Sequence, residues 1–161
     1  MGHSRRMAIV LVLAPVALCA SCSVSVHYGS GDPQAEQAYR EAVAGPMNVL
    51  TTAATNANET CAGGSRPDPA ECYTFTTTEI TAARALERAL RGVPTPTRFV
   101  KANTGLLHGL DIFIQGLIKR NEGLAAHSTA EYEAGSQLIG KGLDIQRIAI
   151  AEYPKDAKIS L

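Results

Sequence analysis

The amino-acid sequence predicts an all-α protein that folds as an up-down-up-down four-helix bundle. Four segments carry apolar residues at spacings of three and four, and each opens with a helix-start signal. No stretch of convincing length alternates with the period of two that is typical of strands. A chain of 161 residues is long enough for one domain with its own core.

The first predicted helix begins at Asp32-Pro33, a capping residue followed by proline at the first helical position. Gly45-Pro46 interrupts it, but the apolar phase continues, so we predict a kink at Pro46 and not a break. The predicted buried face consists of Ala35, Ala38, Tyr39, Ala42, Met47, Leu50, Ala53, Ala54 and Ala57.

The second predicted helix opens at Asp68-Pro69-Ala70-Glu71, a sequence much like a capping box. Several threonines follow, and because threonine is a poor helix former we expect the regular part to start only near Thr78. The segment 92–96, rich in glycine and proline, ends this helix. The apolar positions are Cys72, Phe75, Ile80, Ala83, Leu86 and Leu90.

The third predicted helix opens near Thr95-Pro96 and has the strongest period. Lys119 and Arg120 are expected in its last turn, where cations complement the helix dipole, and Gly123 is expected to end it. The positions in phase are Phe99, Asn103, Leu106, Leu110, Phe113 and Leu117.

The fourth predicted helix opens with a full capping box, Ser128-Thr129-Ala130-Glu131, and ends before Pro154. The helical domain is therefore predicted to span 33–154, with a C-terminal tail at 155–161. The predicted core positions of this helix are Tyr132, Leu138, Ile139, Ile145, Ile148 and Ala149.

Charge excludes several partners. The chain has 15 basic and 15 acidic residues, and loss of Arg5 and Arg6 with a leader leaves 13 basic residues against 15 acidic. A nucleic-acid-binding protein needs a basic field, so we expect no nucleic-acid partner. The same balance argues against binding anionic lipid headgroups through a polybasic face.

The N-terminus has the layout of a bacterial secretion signal. A short basic region, 1–6, precedes an apolar run at 7–20 that is too short to span a bilayer but suits a signal peptide. We therefore predict a signal peptide at 1–21 and export from the cell. Freely secreted protein, cut by ordinary signal peptidase, is the alternative to a membrane-anchored one.

The segment Leu18-Cys19-Ala20-Ser21-Cys22 resembles the lipobox of bacterial lipoproteins, with Cys19 standing where leucine is usual. The resemblance implies that Cys22 carries lipid, palmitate included, and anchors the chain to the outer side of the cell membrane. Lipidation would also remove an unpaired thiol outside the cell. Residues 22–32 then form a flexible tether.

Cys61 and Cys72 remain after the leader, one near the end of the first helix and one at the start of the second. In an oxidising compartment such a pair predicts a disulfide across the first hairpin. Two thiols without a nearby histidine do not complete a zinc site.

Polar residues in the third and fourth helices suggest one weak ligand or metal site. His108 and Asp111 are three residues apart, and Asp144 would approach them in an antiparallel pair. Solvated side chains are the plainer interpretation. Met47 and His108 could act as axial haem ligands, but aromatic residues are scarce and we expect no cofactor.

Glycines recur in the third and fourth helices at Gly105, Gly109, Gly116, Gly135 and Gly142. The spacing predicts close approach of these two helices. A gap that forms a small apolar pocket near the glycines is the alternative.

The chain shows no recognisable catalytic motif. We therefore expect a small, exported, membrane-anchored and non-enzymatic helical domain that binds or scaffolds a partner in the cell envelope. The alternative is a carrier of a small ligand or metal that uses the interior of the bundle.

Overall fold

The computed structural model describes residues 31–62 and 68–157. The predicted signal peptide, Cys22 and the tether up to residue 30 lie outside the described residues. Four α-helices confirm the predicted all-α bundle: α1 Pro33–Ala62, α2 Pro69–Gly92, α3 Val100–Ala125 and α4 Thr129–Ala151. Short 3-10 helices lie at Thr97–Phe99 and Lys155–Ala157. None of the described helices has both the length and the apolar character needed to cross a membrane.

Helix α1 passes through Pro46 without a break, as the continuous apolar phase predicted. Its buried stripe advances in steps of four from Ala35 through Tyr39 to Val43. Ala38 and Ala42 lie beside this stripe and are exposed, so their predicted place in the core was wrong.

Helix α2 begins at Pro69, nine residues before the predicted start of its regular part. Asp68 caps it by accepting a hydrogen bond from the Ala70 backbone N–H at 2.9 Å. The threonines do not delay the helix, and within it the hydroxyls of Thr74, Thr77 and Thr78 each donate to the carbonyl four residues earlier.

The predicted disulfide is present. Cys61 and Cys72 are bonded, with their Cα atoms 5.2 Å apart, and Cys72 is buried. The bond ties the end of α1 to the first turn of α2 and so fixes one end of α1 against the bundle.

Helices α3 and α4 pack backbone against backbone through their glycines. A Cβ added at Gly116 would lie 2.6 Å from the Ile139 backbone nitrogen, and one added at Gly142 would lie 2.7 Å from that of Phe113. Both distances are far below normal contact, so the predicted close approach is confirmed. The alternative of a gap at these glycines was wrong, because the opposite helix fills the space.

The same packing corrects two predicted details. Helix α3 continues past Gly123 to Ala125, because Gly123 is needed where the α4 backbone comes closest; a Cβ there would lie 2.5 Å from the Tyr132 nitrogen. Helix α4 buries its contact stripe through Gly135, Gly142 and Ala149. Ile148 is one residue out of phase with that stripe and is 61% exposed, so its predicted burial was wrong.

A buried aromatic cluster closes the end of the bundle where α1 and α3 begin. Tyr39 donates to the Asn103 side-chain oxygen at 2.8 Å, and its hydroxyl lies 2.7 Å from that of Tyr153. Burial raises the pKa of both tyrosines above their ordinary value. Arg98 pairs with Asp156, so part of the segment predicted as a tail packs onto the domain.

Candidate ligand groove between α1 and α4

Three of the four interfaces between neighbouring helices are closed. In the described part of the chain, α1 packs on α2, α2 on α3 and α3 on α4, whereas α1 and α4 make no comparable contact. A groove with a volume of about 580 Å³ lies between α1 and α4, and we call it the α1/α4 groove. It exists because α4 is drawn against α3 by small residues while α1 is tied to α2 by the disulfide.

The walls of the groove are mainly apolar and its floor is partly polar. Helix α1 supplies one wall and α4 the other, while α2 and α3 contribute the floor. The apolar surface of the groove includes Met47, Leu50, Ala54, Phe113, Ile139 and Leu143. Leu143 is 50% exposed at the rim, so the apolar surface reaches solvent.

A buried ion pair forms part of the floor. Arg120 Nη2 lies 3.5 Å from Glu79 Oε2 and donates to Thr76 Oγ1 at 3.1 Å. The side chain of Glu79 is 6% exposed and that of Arg120 is 15% exposed. Burial raises the pKa of Glu79 above its ordinary value of 4.5, while the positive charge of Arg120 works in the opposite direction.

In the described part of the chain, two buried donor atoms of groove-lining residues have no hydrogen-bond acceptor. They are the Nε atom of Arg120 and the Nε2 atom of Gln146. A buried donor without an acceptor costs about 1–3 kcal/mol, so native proteins usually satisfy such groups. Both atoms are inaccessible to solvent, so they lie beneath the surface of the groove.

The two donors come from positions at different heights in the groove. The Gln146 side chain passes Gly109 of α3, because a Cβ added at Gly109 would lie 2.8 Å from Gln146 Cγ. Arg120 is eleven residues further along α3, which is about 16 Å of helix rise. The apolar surface from Phe113 and Ile139 lies between these levels, so the groove is elongated with polar groups towards both ends.

Glu59 is the remaining charged residue that lines the groove, and it is exposed. Glu79 already balances the positive charge of Arg120. The lining therefore carries a net negative formal charge of one when both glutamates are ionised.

The side chains predicted as a ligand or metal site do not lie in the groove. His108, Asp111 and Asp144 are all exposed; Asp111 accepts a hydrogen bond from Gln115, and Asp144 pairs with Arg147. Among the described residues no three histidine, cysteine, aspartate or glutamate side chains are grouped to hold a metal ion. Met47 lines the groove while His108 does not, so the structure does not bring together the pair considered for haem.

Sequence reasoning missed the polar floor, although the sequence contained a signal for it. Glu79 stands in phase with Cys72, Ala83 and Leu86, so an acidic residue occupies a core position of α2. Arg120 was assigned to the helix terminus on the basis of the helix dipole alone. Its position seven residues after Phe113 also places it on the inward face of α3.

The chain matches no protein-family model, no curated protein and no solved structure at a significant level of similarity.

Proposed function

We propose that this chain is an exported, lipid-anchored and non-enzymatic binding protein that holds a small apolar molecule in the α1/α4 groove. The observation that carries the proposal is the α1/α4 groove itself, which is mainly apolar and has a volume of about 580 Å³. The proposal follows the alternative predicted from the sequence, a carrier of a small ligand, with the ligand held between α1 and α4.

The size and lining of the groove support binding of a small molecule. Ligand sites typically have volumes of about 300–1,000 Å³, apolar walls and a few polar groups that fix orientation. The α1/α4 groove, at about 580 Å³, falls in this range and has that composition. Closed packing of α3 against α4 provides a firm wall for such a site.

The hydroxyl groups of the lining support a binding role and not a catalytic one. Thr51 and Thr55 each donate to the carbonyl four residues earlier in α1, at 3.0 Å. A hydroxyl that donates its hydrogen to a backbone carbonyl is not donating it to a general base, as an activated nucleophile would.

Export and anchoring rest on the leader and on its lipobox-like end. A lipid on Cys22 followed by a tether would hold the domain next to the membrane surface, where an apolar ligand is concentrated. Mass spectrometry of the N-terminus of the chain from its host should show an acylated Cys22. An unmodified N-terminal residue would rule out the anchor but not the groove.

The ligand-binding proposal is tested by recovering the full chain from the host envelope and extracting bound small molecules for mass spectrometry. Ala54→Phe places a large side chain in the groove and should remove the bound molecule. Ala38→Phe, at an exposed position of the same helix, is the matched control and should retain it. A molecule retained equally by both variants would contradict binding in the groove.

A protein partner in the envelope is a second candidate, favoured by exposed apolar side chains. Val49 of α1 is 58% exposed and Ile148 of α4 is 61% exposed. Ile148→Ser should weaken chemical crosslinking to such a partner in intact cells. Equal crosslinking by this variant would count against a partner on that side of α4.

A further inference from the structure

We infer that two copies of this chain pair antiparallel through the outer face of α4, with Gly140 of one copy crossing Gly140 of the other. The outer face is the exposed side of α4 that is turned away from α3. It consists of Glu133, Ser136, Gly140, Leu143, Asp144 and Arg147. The inference goes beyond the proposed function, because the pairing needs no ligand in the α1/α4 groove.

Gly140 has no role in the packing of the described helices. Gly142, two residues later, faces α3, where a Cβ would lie 2.7 Å from the Phe113 nitrogen, whereas a Cβ at Gly140 meets nothing within 4 Å. At about 100° per residue, the two glycines lie on nearly opposite sides of α4. Glycine inside a helix destabilises it relative to alanine, and close approach of another backbone is a physical reason to keep it. At Gly140 that backbone comes from a second molecule.

Two other glycines in the helices also have open space at the Cβ position, but each has a local explanation. Gly45 precedes Pro46, and the absence of a Cβ there avoids a clash with the proline ring. Gly92 is the last residue of α2 and so does not interrupt a helix interior. Among the helices that the structure describes, Gly140 is therefore the interior glycine that contacts within one copy leave unexplained.

The charges of the outer face are complementary to themselves about Gly140. Glu133 lies seven residues before Gly140 and Arg147 lies seven residues after it, which is two helical turns in each direction. When two α4 helices cross antiparallel at Gly140, Glu133 of each copy faces Arg147 of the other. A parallel pair would place like charges opposite each other at both positions. Charge therefore selects the antiparallel arrangement.

The existing contact of Arg147 does not prevent this pairing. Arg147 lies 3.2 Å from Asp144 of the same helix, and both side chains are largely exposed. An exposed ion pair of this kind contributes little to stability. The guanidinium group also has several donors, so Arg147 can bind Glu133 of a second copy while it remains next to Asp144.

The position of Gly140 allows the two helices to overlap along their whole length. Helix α4 spans Thr129–Ala151, so eleven residues lie on each side of Gly140. Leu143 is 50% exposed, and in the antiparallel pair it lies at the level of Ser136 of the second copy. Covering Leu143 removes apolar surface from water. Because each copy contributes a single helix, the interface is small and we expect a weak dimer.

The test forms a disulfide between two copies at the crossing point. Gly140→Cys is introduced into the full chain produced in its host, an oxidant is added, and mass spectrometry identifies the bridged peptides. The antiparallel pair brings the two substituted positions together, so a bridge between copies is expected. In Ser136→Cys the same pairing separates the two positions by about 12 Å, beyond the reach of a disulfide. Gly92→Cys, at an exposed position of α2, measures random collision.

Charge variants of the Gly140→Cys chain test the register of the pair. Glu133→Arg opposes two arginines at both ends of the interface and should lower the yield of the bridge at least about threefold. Adding Arg147→Glu restores opposite charges and should recover the yield. Glu71→Arg, at an exposed position of α2, is the control and should leave the yield unchanged. Circular dichroism of each variant checks that the helix content is retained.

Sedimentation of the full chain in detergent measures the pairing without a new cysteine. We expect the unmodified chain to dimerise within the range of about 1 µM to 1 mM. Gly140→Gln keeps a good helix former but places a side chain at the crossing point, so it should raise the dissociation constant at least about tenfold. Gly92→Gln adds the same side chain at the end of α2 and should not change it.

Each alternative result overturns part of the inference. A bridge in Gly140→Cys no stronger than in Gly92→Cys, or a chain that stays monomeric in sedimentation, would overturn the pairing. An equal bridge in Ser136→Cys would indicate a parallel pair. A double charge variant no better than Glu133→Arg would overturn the register. Ala54→Phe, in the wall of the α1/α4 groove, should leave the bridge intact, so failure of the pairing and failure of ligand binding are separate results.

Discussion

The two interfaces of α4 differ in how they are built. Towards α3, glycines bring the two backbones so close that a Cβ at Gly135 would lie 2.5 Å from the Arg120 nitrogen. Towards α1, larger side chains such as Ile139 and Leu143 face a groove and do not close it. One helix thus presents a stripe of small residues that packs on α3 and a stripe of large apolar residues that lines the groove.

The comparison shows that side-chain size, and not apolar character alone, decides which interfaces close. Small residues at intervals of seven, from Gly135 to Gly142 to Ala149, keep α4 in register with α3 over its whole length. Helix α1 contributes no glycine to the groove lining. It is held instead by the disulfide at one end and by Tyr39 and Glu36 at the other.

The largest loss of folding stability is expected from a substitution that separates α3 from α4. Gly116→Ala places a methyl group 2.6 Å from the Ile139 nitrogen, so the α3 and α4 backbones must separate. We expect the free energy of unfolding to fall by about 3 kcal/mol, measured by urea denaturation with circular dichroism.

Gly140→Ala, on the facing helix α4, is the control, because a Cβ there meets nothing within 4 Å. It should raise the free energy of unfolding by about 0.5–1 kcal/mol, since alanine favours helix over glycine. Equal effects of the two substitutions would contradict the close packing of α3 and α4.

A somewhat smaller loss of folding stability is expected when the disulfide between α1 and α2 is broken. The Cys61–Cys72 disulfide closes a short loop of sequence separation 11, so its reduction should lower the free energy of unfolding by about 2–3 kcal/mol. Hydrogen exchange should accelerate more in α1 than in α3 and α4, because α1 loses a covalent attachment. The Cys61→Ser, Cys72→Ser double variant should not respond to reductant. Uniform acceleration in all helices would show that α1 is no less firmly held than α4.

Glu79, in the polar floor of the groove, should make the free energy of unfolding depend on pH. The sign of this dependence should be opposite to that of an ordinary ion-paired carboxylate. Burial raises the pKa of Glu79 above 4.5, so the unfolded chain releases this proton first as the pH rises. The contribution of Glu79 to stability is therefore fully present below pH 4.5 and is lost as the pH rises through its folded-state pKa. The free energy of unfolding relative to Glu79→Gln should fall over that window, and Glu71→Gln, exposed on the same helix, should not alter the slope. A difference that rises with pH would mean that attraction to Arg120 outweighs burial.

The smallest effect on stability is expected from filling the groove. Ala54→Leu adds a larger apolar side chain where space is open, so the free energy of unfolding should change by less than about 0.5 kcal/mol. Ala83→Leu makes the same change at a fully buried position of α2 and should cost about 1–3 kcal/mol. The two values are compared by urea denaturation, and similar losses would argue that the α1/α4 side is as tightly packed as the core.

The helices and the disulfide could be predicted from the sequence because their signals are local. Asp68 and Ser128 stand at the helix starts that they cap, and Cys61 and Cys72 are close in sequence. The glycine spacing also predicted close approach of α3 and α4. These features depend on residues within one helix or one hairpin.

The groove could not be predicted, because it depends on contacts between helices that are distant in sequence. Arg120 could be assigned to a helix terminus or to the interior, and only the position of Glu79 on α2 decides between them. Likewise, the spacing of Gly109 and Gly142 did not reveal whether the opposite backbone fills the space they leave. The open face instead lies on the other side of α4, where no local signal marks it.

Methyl NMR of the full chain during titration with an uncharged long-chain ester tests the difference between the two sides of α4 most directly. If the α1/α4 groove is the open side, the methyl signals of Leu50, Ile139 and Leu143 will shift, while those of the buried Leu110 and Leu117 will remain in place. Shifts at Leu110 and Leu117 equal to those at Ile139, or no shift at any of the five, would contradict the account.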